Sequence, residues 1–166
     1  GYPMPSGEGA PILVAGGYGS AAMLPLAERS ANKGILLLGA RSPADLILAE
    51  EYEAAGYEVR LATQDGSAGQ KGLVTDLLDG AIADAEKTPV LYGCGPTPML
   101  MALGRIAVGN NWKCYLSLDE HMCCGIGACF ACVVKMKDPS SPGGWRYSRT
   151  CKEGPVYSAD EVYYEA

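Results

Sequence analysis

Cys124, Cys129 and Cys132 stand in a Cys-x4-Cys-x2-Cys run, Cys124-Gly125-Ile126-Gly127-Ala128-Cys129-Phe130-Ala131-Cys132, and a lone Cys151 follows. Four thiolates at this spacing can hold a plant-type [2Fe–2S] cluster, three from one tight loop and the fourth from a returning strand. Such a centre moves electrons one at a time. A loop that aims its sulfurs inward needs backbone angles closed to most residues, which Gly125 and Gly127 open. Its successive N–H groups can point at the negative centre and tune it. Phe130 and Ala131, with Val133 and Val134 beyond, are expected to keep water off one side.

Two other uses of these thiols stay open. A structural zinc ion takes four cysteines, usually from two Cys-x2-Cys knuckles, and here the second knuckle is missing. Disulfides are a third use, but seven cysteines is an odd count and no secretory signal is recognisable. Counting from Cys123 leaves five residues before Cys129, so Cys124 is the better ligand. Cys114 lies in the apolar run Lys113-Cys114-Tyr115-Leu116-Ser117-Leu118 and reads as a buried packing thiol. His121, the only histidine, could ligate iron in a mixed site, yet four cysteines already complete the set and leave it a surface or packing role.

The elements that must position this loop follow from the rest of the chain. Its 166 residues suffice for one ordinary domain and a small appendage. A net charge of −6 supplies no basic face for nucleic acid. No apolar run approaches the roughly 20 residues of a membrane span, and a cytoplasmic location is expected, where thiols stay reduced. The first two thirds alternate short apolar runs with helix-length segments, the pattern of an α/β fold with a five-stranded parallel sheet. Expected strands are 12–15, 35–38, 57–62, 89–92 and 114–118, with helices over 20–31, 43–55, 74–85 and 98–108. Pro25 suits the first helix only within its first turn, and Ser42 is expected to cap the second with Asp45 as its partner. After Leu118 glycine, cysteine and proline rise and helix signals vanish; 131–136 and 145–148 read as strands around a turn-rich stretch. A boundary near 118 divides the chain into a nucleotide-binding domain, 1–118, and a small, mainly β, cysteine-rich cluster domain, 119–166.

Open parallel sheets bind ligands beyond the carboxyl ends of their strands, so the segments after each strand carry the functional reading. The first is Gly16-Gly17-Tyr18-Gly19-Ser20, a glycine-rich turn whose N–H groups and following helix suit a pyrophosphate. It is not a Gly-x-Gly-x-x-Gly fingerprint, and an ordinary tight turn would use the same glycines. The second, Gly39-Ala40-Arg41-Ser42, places Arg41 where it could reach an adenosine ribose or a phosphate, or simply meet solvent. The fourth, Gly93-Cys94-Gly95-Pro96-Thr97-Pro98-Met99, lets a ligand approach the backbone and sets Cys94 at a strand tip.

Cys94-Gly95-Pro96-x-x-Met99 behind an apolar strand resembles the pyridine-nucleotide domain of the ferredoxin reductase superfamily. Gly39-Ala40-Arg41, the stretch from Ala62-Thr63-Gln64-Asp65-Gly66-Ser67 to Val74-Thr75-Asp76-Leu77-Leu78, the cysteine run and Cys151-Lys152-Glu153-Gly154-Pro155-Val156-Tyr157 narrow the likeness. Together they resemble the electron-transfer subunits of NAD-dependent dihydroorotate dehydrogenases over nearly the whole chain. That resemblance implies a ferredoxin-reductase-like fold, cluster ligands Cys124, Cys129, Cys132 and Cys151, and an NAD(H) site lined by Gly16, Gly17, Gly19, Cys94, Gly95 and Pro96. It implies electron passage among NAD(H), FAD, the [2Fe–2S] cluster and an FMN-containing catalytic subunit that oxidises dihydroorotate in pyrimidine synthesis, hence a hetero-oligomer. A hydride carries two electrons and a cluster accepts one, so a flavin must stand between them.

One departure qualifies the likeness. Family members carry an FAD-binding β-barrel ahead of the nucleotide domain, whereas only Gly1-Tyr2-Pro3-Met4-Pro5 precedes the region of the first strand and no Met stands at residue 1. Arg146-Tyr147-Ser148 lacks the residue between Arg and Tyr of the barrel's flavin motif. The chain is expected to be a piece cut at the barrel's end, to hold FAD weakly or not at all, and to be inactive alone. Alternatives are a subunit of a sulfide dehydrogenase or an NADH-dependent ferredoxin:NADP oxidoreductase, and, in another class, a zinc-bound non-catalytic interaction module.

Overall fold

A computed structural model describes residues 1–5, 9–85 and 87–165. Its strands and helices follow in the order β1 (Ala10–Gly16), α1 (Gly19–Arg29), β2 (Ile35–Ala40), α2 (Ala49–Ala54), β3 (Glu58–Thr63), β4 (Gln70–Lys71), α3 (Leu78–Ala83), β5 (Pro89–Cys94), α4 (Thr97–Gly109), β6 (Lys113–Ser117), β7 (Val133–Lys137), β8 (Trp145–Arg149) and β9 (Val156–Ser158). The five expected parallel strands are all present, and the sheet gains two more, in the order β4-β3-β2-β1-β5-β6-β9. β4 runs parallel to β3, and β9 runs antiparallel to β6. Both additions are two or three residues long, too short to show a period-2 pattern in the sequence.

The near-continuous apolar runs of β1 and β2 reflect burial on both faces. Ile12, Val14, Ile35 and Leu37 join α3 and α4 residues in one core, while Leu13, Ala15, Leu36 and Leu38 join Met23 of α1 and Tyr52 of α2 in the other. Burying one such leucine is worth about 1.5–3 kcal/mol, so this two-sided core fixes the strand ends against which a ligand can rest.

Three helices depart from the sequence expectation. Pro25 lies well inside α1 and not in its first turn. Pro25 itself is exposed, so the ladder bond it removes falls where water can reach. The helix expected over 43–55 breaks into a 3-10 turn, Pro43–Asp45, and α2. Ser42 makes no side-chain cap there. Leu46, Ile47 and Leu48 are all half-buried, which one helical face cannot satisfy, and Leu48 at φ +67° turns the chain into α2. The helix expected over 74–85 likewise starts as a 3-10 turn, Val74–Leu77, with the Asp76 carboxylate accepting the Leu73 N–H at 2.8 Å.

Beyond β6 the chain forms the β7–β8 hairpin, a two-stranded sheet of its own. The tail then comes back. β9 pairs with β6, a 3-10 turn at Ala159–Glu161 follows, and Tyr157, Ala159 and Val162 enter the core shared with α4. Val162 also bridges to Met136 of β7, so the tail ties the hairpin to the main sheet. Among the described residues no helix is long and apolar enough to cross a membrane.

Candidate functional site

The direction of chain progression reverses at β1, where β2 lies on one side and β5 on the other. A crevice must open there at the carboxyl ends of the strands. The structure has a cavity of about 770 Å³ at that point. Gly16, Gly17 and Gly19 line it from the β1 side and Cys94, Gly95 and Pro96 from the β5 side. Arg41 lines it from the end of β2, and of the residues proposed for this site from sequence only Ser20 lies behind the wall, fully buried. The Ser20 hydroxyl donates to the Gly17 carbonyl at 3.0 Å and holds the turn closed.

Two turns meet in the cavity floor at close quarters. A Cβ on Gly19 would stand 2.2 Å from the Cys94 carbonyl oxygen, so this position admits nothing larger than glycine. The N-terminal ends of α1 and α4 both border the space, the latter through Pro96, Pro98 and Met99. Two helix N-termini converging on one crevice favour an anionic group such as a pyrophosphate. Arg41 is exposed and pairs with Asp45 at 3.4 Å, a solvated ion pair on the rim.

Cys94 ends β5, is 7% exposed, and sits in register with Ser117 at the end of β6. Burial raises its thiol above the ordinary value, with the Ser117 and Tyr2 hydroxyls partly offsetting that. Tyr18, 84% exposed on the glycine turn, and Asp119 also border the cavity. Sequence reading missed Tyr18, Ser117 and Asp119, although the rule that singled out the other strand ends applies equally to the residues after β6.

Asp119 is five residues from Cys124, so the two are separated by at most about 18 Å of extended chain. The loop that follows has Gly125 and Gly127 at φ +67° and +81°, where glycine is needed. It sets the four cysteines in two pairs. In the first, the Cys129 N–H points at Cys124 Sγ at 3.4 Å. The Cys124 thiol is pulled down to about 6 by the N–H groups of Cys129 and Ile126, then by the Cys129 thiol and the Ala128 N–H. In the second, Cys132 is lowered by the Cys151 N–H and thiol, and Cys151 is raised by sharing its proton with Cys132. Thr150 N–H donates to the Cys132 carbonyl at 2.9 Å, joining the loop to the turn that carries Cys151.

Arg149 closes this arrangement. Its Nη1 donates to the Gly127 carbonyl at 3.1 Å, its Nη2 to Glu153 Oε1 at 2.6 Å, and its guanidinium lies 5.2 Å from the Phe130 ring centre. Phe130 does not shield the site as expected: it is 57% exposed at φ +57°, and Ala131 is exposed too, because the turn into Cys132 swings both outward. Val133 and Val134 are half-buried. Cys123 is exposed beside Cys129, Cys114 is buried in β6, and His121 is exposed.

Among the described residues no three His, Cys, Asp or Glu side chains converge as one metal ion requires. Two pairs of thiols, one of them biased toward thiolate by loop N–H groups, are a donor set that fits a two-iron centre with two ligands per iron. Residues 119–163 match the family model described as the iron-sulfur cluster binding domain of dihydroorotate dehydrogenase B. Over 154 residues, 92% of its length, the chain is 41% identical to the electron transfer subunit of dihydroorotate dehydrogenase B (NAD(+)) of Caldanaerobacter subterraneus subsp. tengcongensis, covering 59% of that protein. It is 39% identical over 168 residues to the corresponding subunit of Bacillus cereus strain B4264, covering 61% of it. The chain thus spans about three fifths of the curated relatives it matches. A solved structure of an NADH-dependent reduced ferredoxin-NADP oxidoreductase, described for flavin-based electron bifurcation, superposes with a TM-score of 0.78 at 29% identity, over 98% of this chain and 57% of that one.

Proposed function

We propose that this chain, a homologue of the electron-transfer subunits of dihydroorotate dehydrogenase B, is an oxidoreductase component linking a pyridine nucleotide to a [2Fe–2S] cluster and onward to an FMN-containing catalytic subunit. The observation that carries this reading is the pairing of Cys124 with Cys129 and of Cys132 with Cys151 in a loop that starts at the wall of a dinucleotide-sized crevice. When bound, the nicotinamide supplies hydride chemistry, FAD the change from two electrons to one, and the cluster single-electron transfer.

The residues do the holding. The N-termini of α1 and α4 receive the pyrophosphate between Gly16–Gly19 and Gly95–Pro96. Cys94 and Ser117 lie at adjacent strand ends where a planar ring can rest on the sheet's edge. The N–H groups of Ile126, Ala128 and Cys129 hold Cys124 as thiolate, ready for iron without a separate base. Residues 1–118 serve the nucleotide and 119–166 the cluster. We place the protein in the cytoplasm, where thiols stay reduced, in a hetero-oligomer with the catalytic subunit and without nucleic-acid or membrane partners.

Anaerobically purified protein should carry equal iron and sulfide and show visible absorption that NADH changes only when FAD is supplied. Adding FAD, NAD, the catalytic subunit and dihydroorotate together should give orotate with reduction of NAD. Colourless, zinc-loaded protein from an iron-replete preparation would sink the reading. The solved-structure match favours a second reading, in which the same nucleotide and cluster sites serve a ferredoxin-linked NADP oxidoreductase. Reduced ferredoxin replacing dihydroorotate as electron source would select it.

A further inference from the structure

Thr150 is 1% exposed, and its Oγ1 is, among the described residues, the only buried side-chain polar atom without a hydrogen-bond partner. Buried polar groups are nearly always paired, and one left unpaired calls for a reason such as a redox role or a missing ion. A valine would fill the same β-branched volume at a strand end without that cost.

The surroundings narrow the reason. Thr150 sits between the two members of the second cysteine pair. Its own N–H is spent on the Cys132 carbonyl at 2.9 Å, and the residue after it is Cys151. Its hydroxyl lies near enough to the Cys132 sulfur to help lower that thiol, though no partner completes a hydrogen bond to Oγ1. Arg149, locked to Glu153 and Gly127, fixes the backbone on its other side. A thiol that keeps its proton is a poor acceptor, whereas an iron-bound thiolate is acceptor-only and carries the charge a hydroxyl would seek.

We propose that the Thr150 hydroxyl donates a hydrogen bond to the Cys132 sulfur of the assembled iron–sulfur centre, making Thr150 a positioning residue that sets how readily the centre takes an electron. This rests on the cluster reading given above. The centre gains one electron and one unit of negative charge; the proton stays on Oγ1, and no covalent bond at Thr150 forms or breaks. Because the sulfur is more negative after reduction, the hydrogen bond is stronger in the reduced state. It therefore raises the reduction potential.

The test compares wild type with Thr150→Val, Thr150→Ala and Thr150→Ser in the cluster-loaded chain, titrated anaerobically with dithionite against redox dyes. Val and Ala should shift the midpoint to more negative potential, lowering the reduced-to-oxidised ratio at a fixed poise by about tenfold, the effect of losing one charge-assisted hydrogen bond. Ser should restore it. In urea, the iron-free Val variant should be as stable as wild type or more so, since it loses only an unpaired hydroxyl. Transfer of wild type to D2O should move the iron–thiolate stretching bands in resonance Raman spectra, a shift the variants without a hydroxyl should lack. Unchanged potentials in Val and Ala, or the absence of any isotope shift in wild type, would overturn the proposal. Equal destabilisation of the iron-free Val variant would mark the hydroxyl as structural and do the same. Wild-type protein without iron and sulfide would remove the cluster reading itself, before any variant is compared.

Discussion

The crevice and the cysteine loop follow each other closely along the chain, yet they are held in shape by different means. The crevice is bounded by strand ends whose side chains are locked into two apolar cores, with Leu13, Val14, Leu36 and Leu37 all at 0% exposure. The loop has almost no such support: Cys123, Ile126, Ala128, Cys129 and Phe130 are exposed, and its ties are polar ones through Arg149 and Thr150. A site built on a packed sheet exists before its ligand arrives. A site built from glycines and thiols gains much of its order from the ligand it holds.

The sharpest way to break this contrast is to damage each region and read both. Cys151→Ser should abolish bound iron and visible absorption while leaving the urea midpoint of the iron-free sheet unchanged. Leu37→Ala should do the reverse, lowering stability by about 2–5 kcal/mol with iron per folded chain unaltered. If Cys151→Ser unfolded the sheet, the two regions would be one cooperative unit and the contrast would fail.

A smaller effect is expected where the two crevice turns meet. Gly19→Ala pushes a methyl group to 2.2 Å from the Cys94 carbonyl and 2.9 Å from the Gly95 N, both backbone atoms. It should cost about 1–3 kcal/mol and weaken NADH binding, measured by calorimetry, without touching iron content. An effect absent at neutral pH concerns the Cys114 thiol. Burial pushes the Cys114 thiol up to about 12, so the folded state favours its neutral form. This contribution is intact below the ordinary thiol pKa and fades as pH rises from there towards 12. The urea midpoint of wild type should therefore fall over that window, and Cys114→Ala should remove part of the fall. An identical pH slope in the variant would refute the assignment.

The strands and the strand ends that line the crevice were legible in the sequence because apolar runs and glycine turns report them directly. Helix continuity was not. Leu46-Ile47-Leu48 reads as helix until Leu46 and Leu48 are claimed by the second core and Ile47 by the crevice wall, and Pro25 reads as a helix start until one sees that it faces water. The cysteine spacing offered four candidate ligands by likeness, but it could not show that Cys124 and Cys129 form one pair and Cys132 and Cys151 the other. That grouping depends on where the chain after β8 returns. Thr150 was invisible for the same reason, since only burial without a partner sets it apart from any other threonine.

The two short strands at the flanks of the main sheet bear on how other proteins can meet it. β4 offers two residues and β9 three, so neither flank presents a long ladder of free N–H and C=O groups to an incoming strand. The β4 and β9 strands themselves thus give an added strand little to pair with. A partner that meets the main sheet at β4 or β9 must therefore be recognised mainly through side chains.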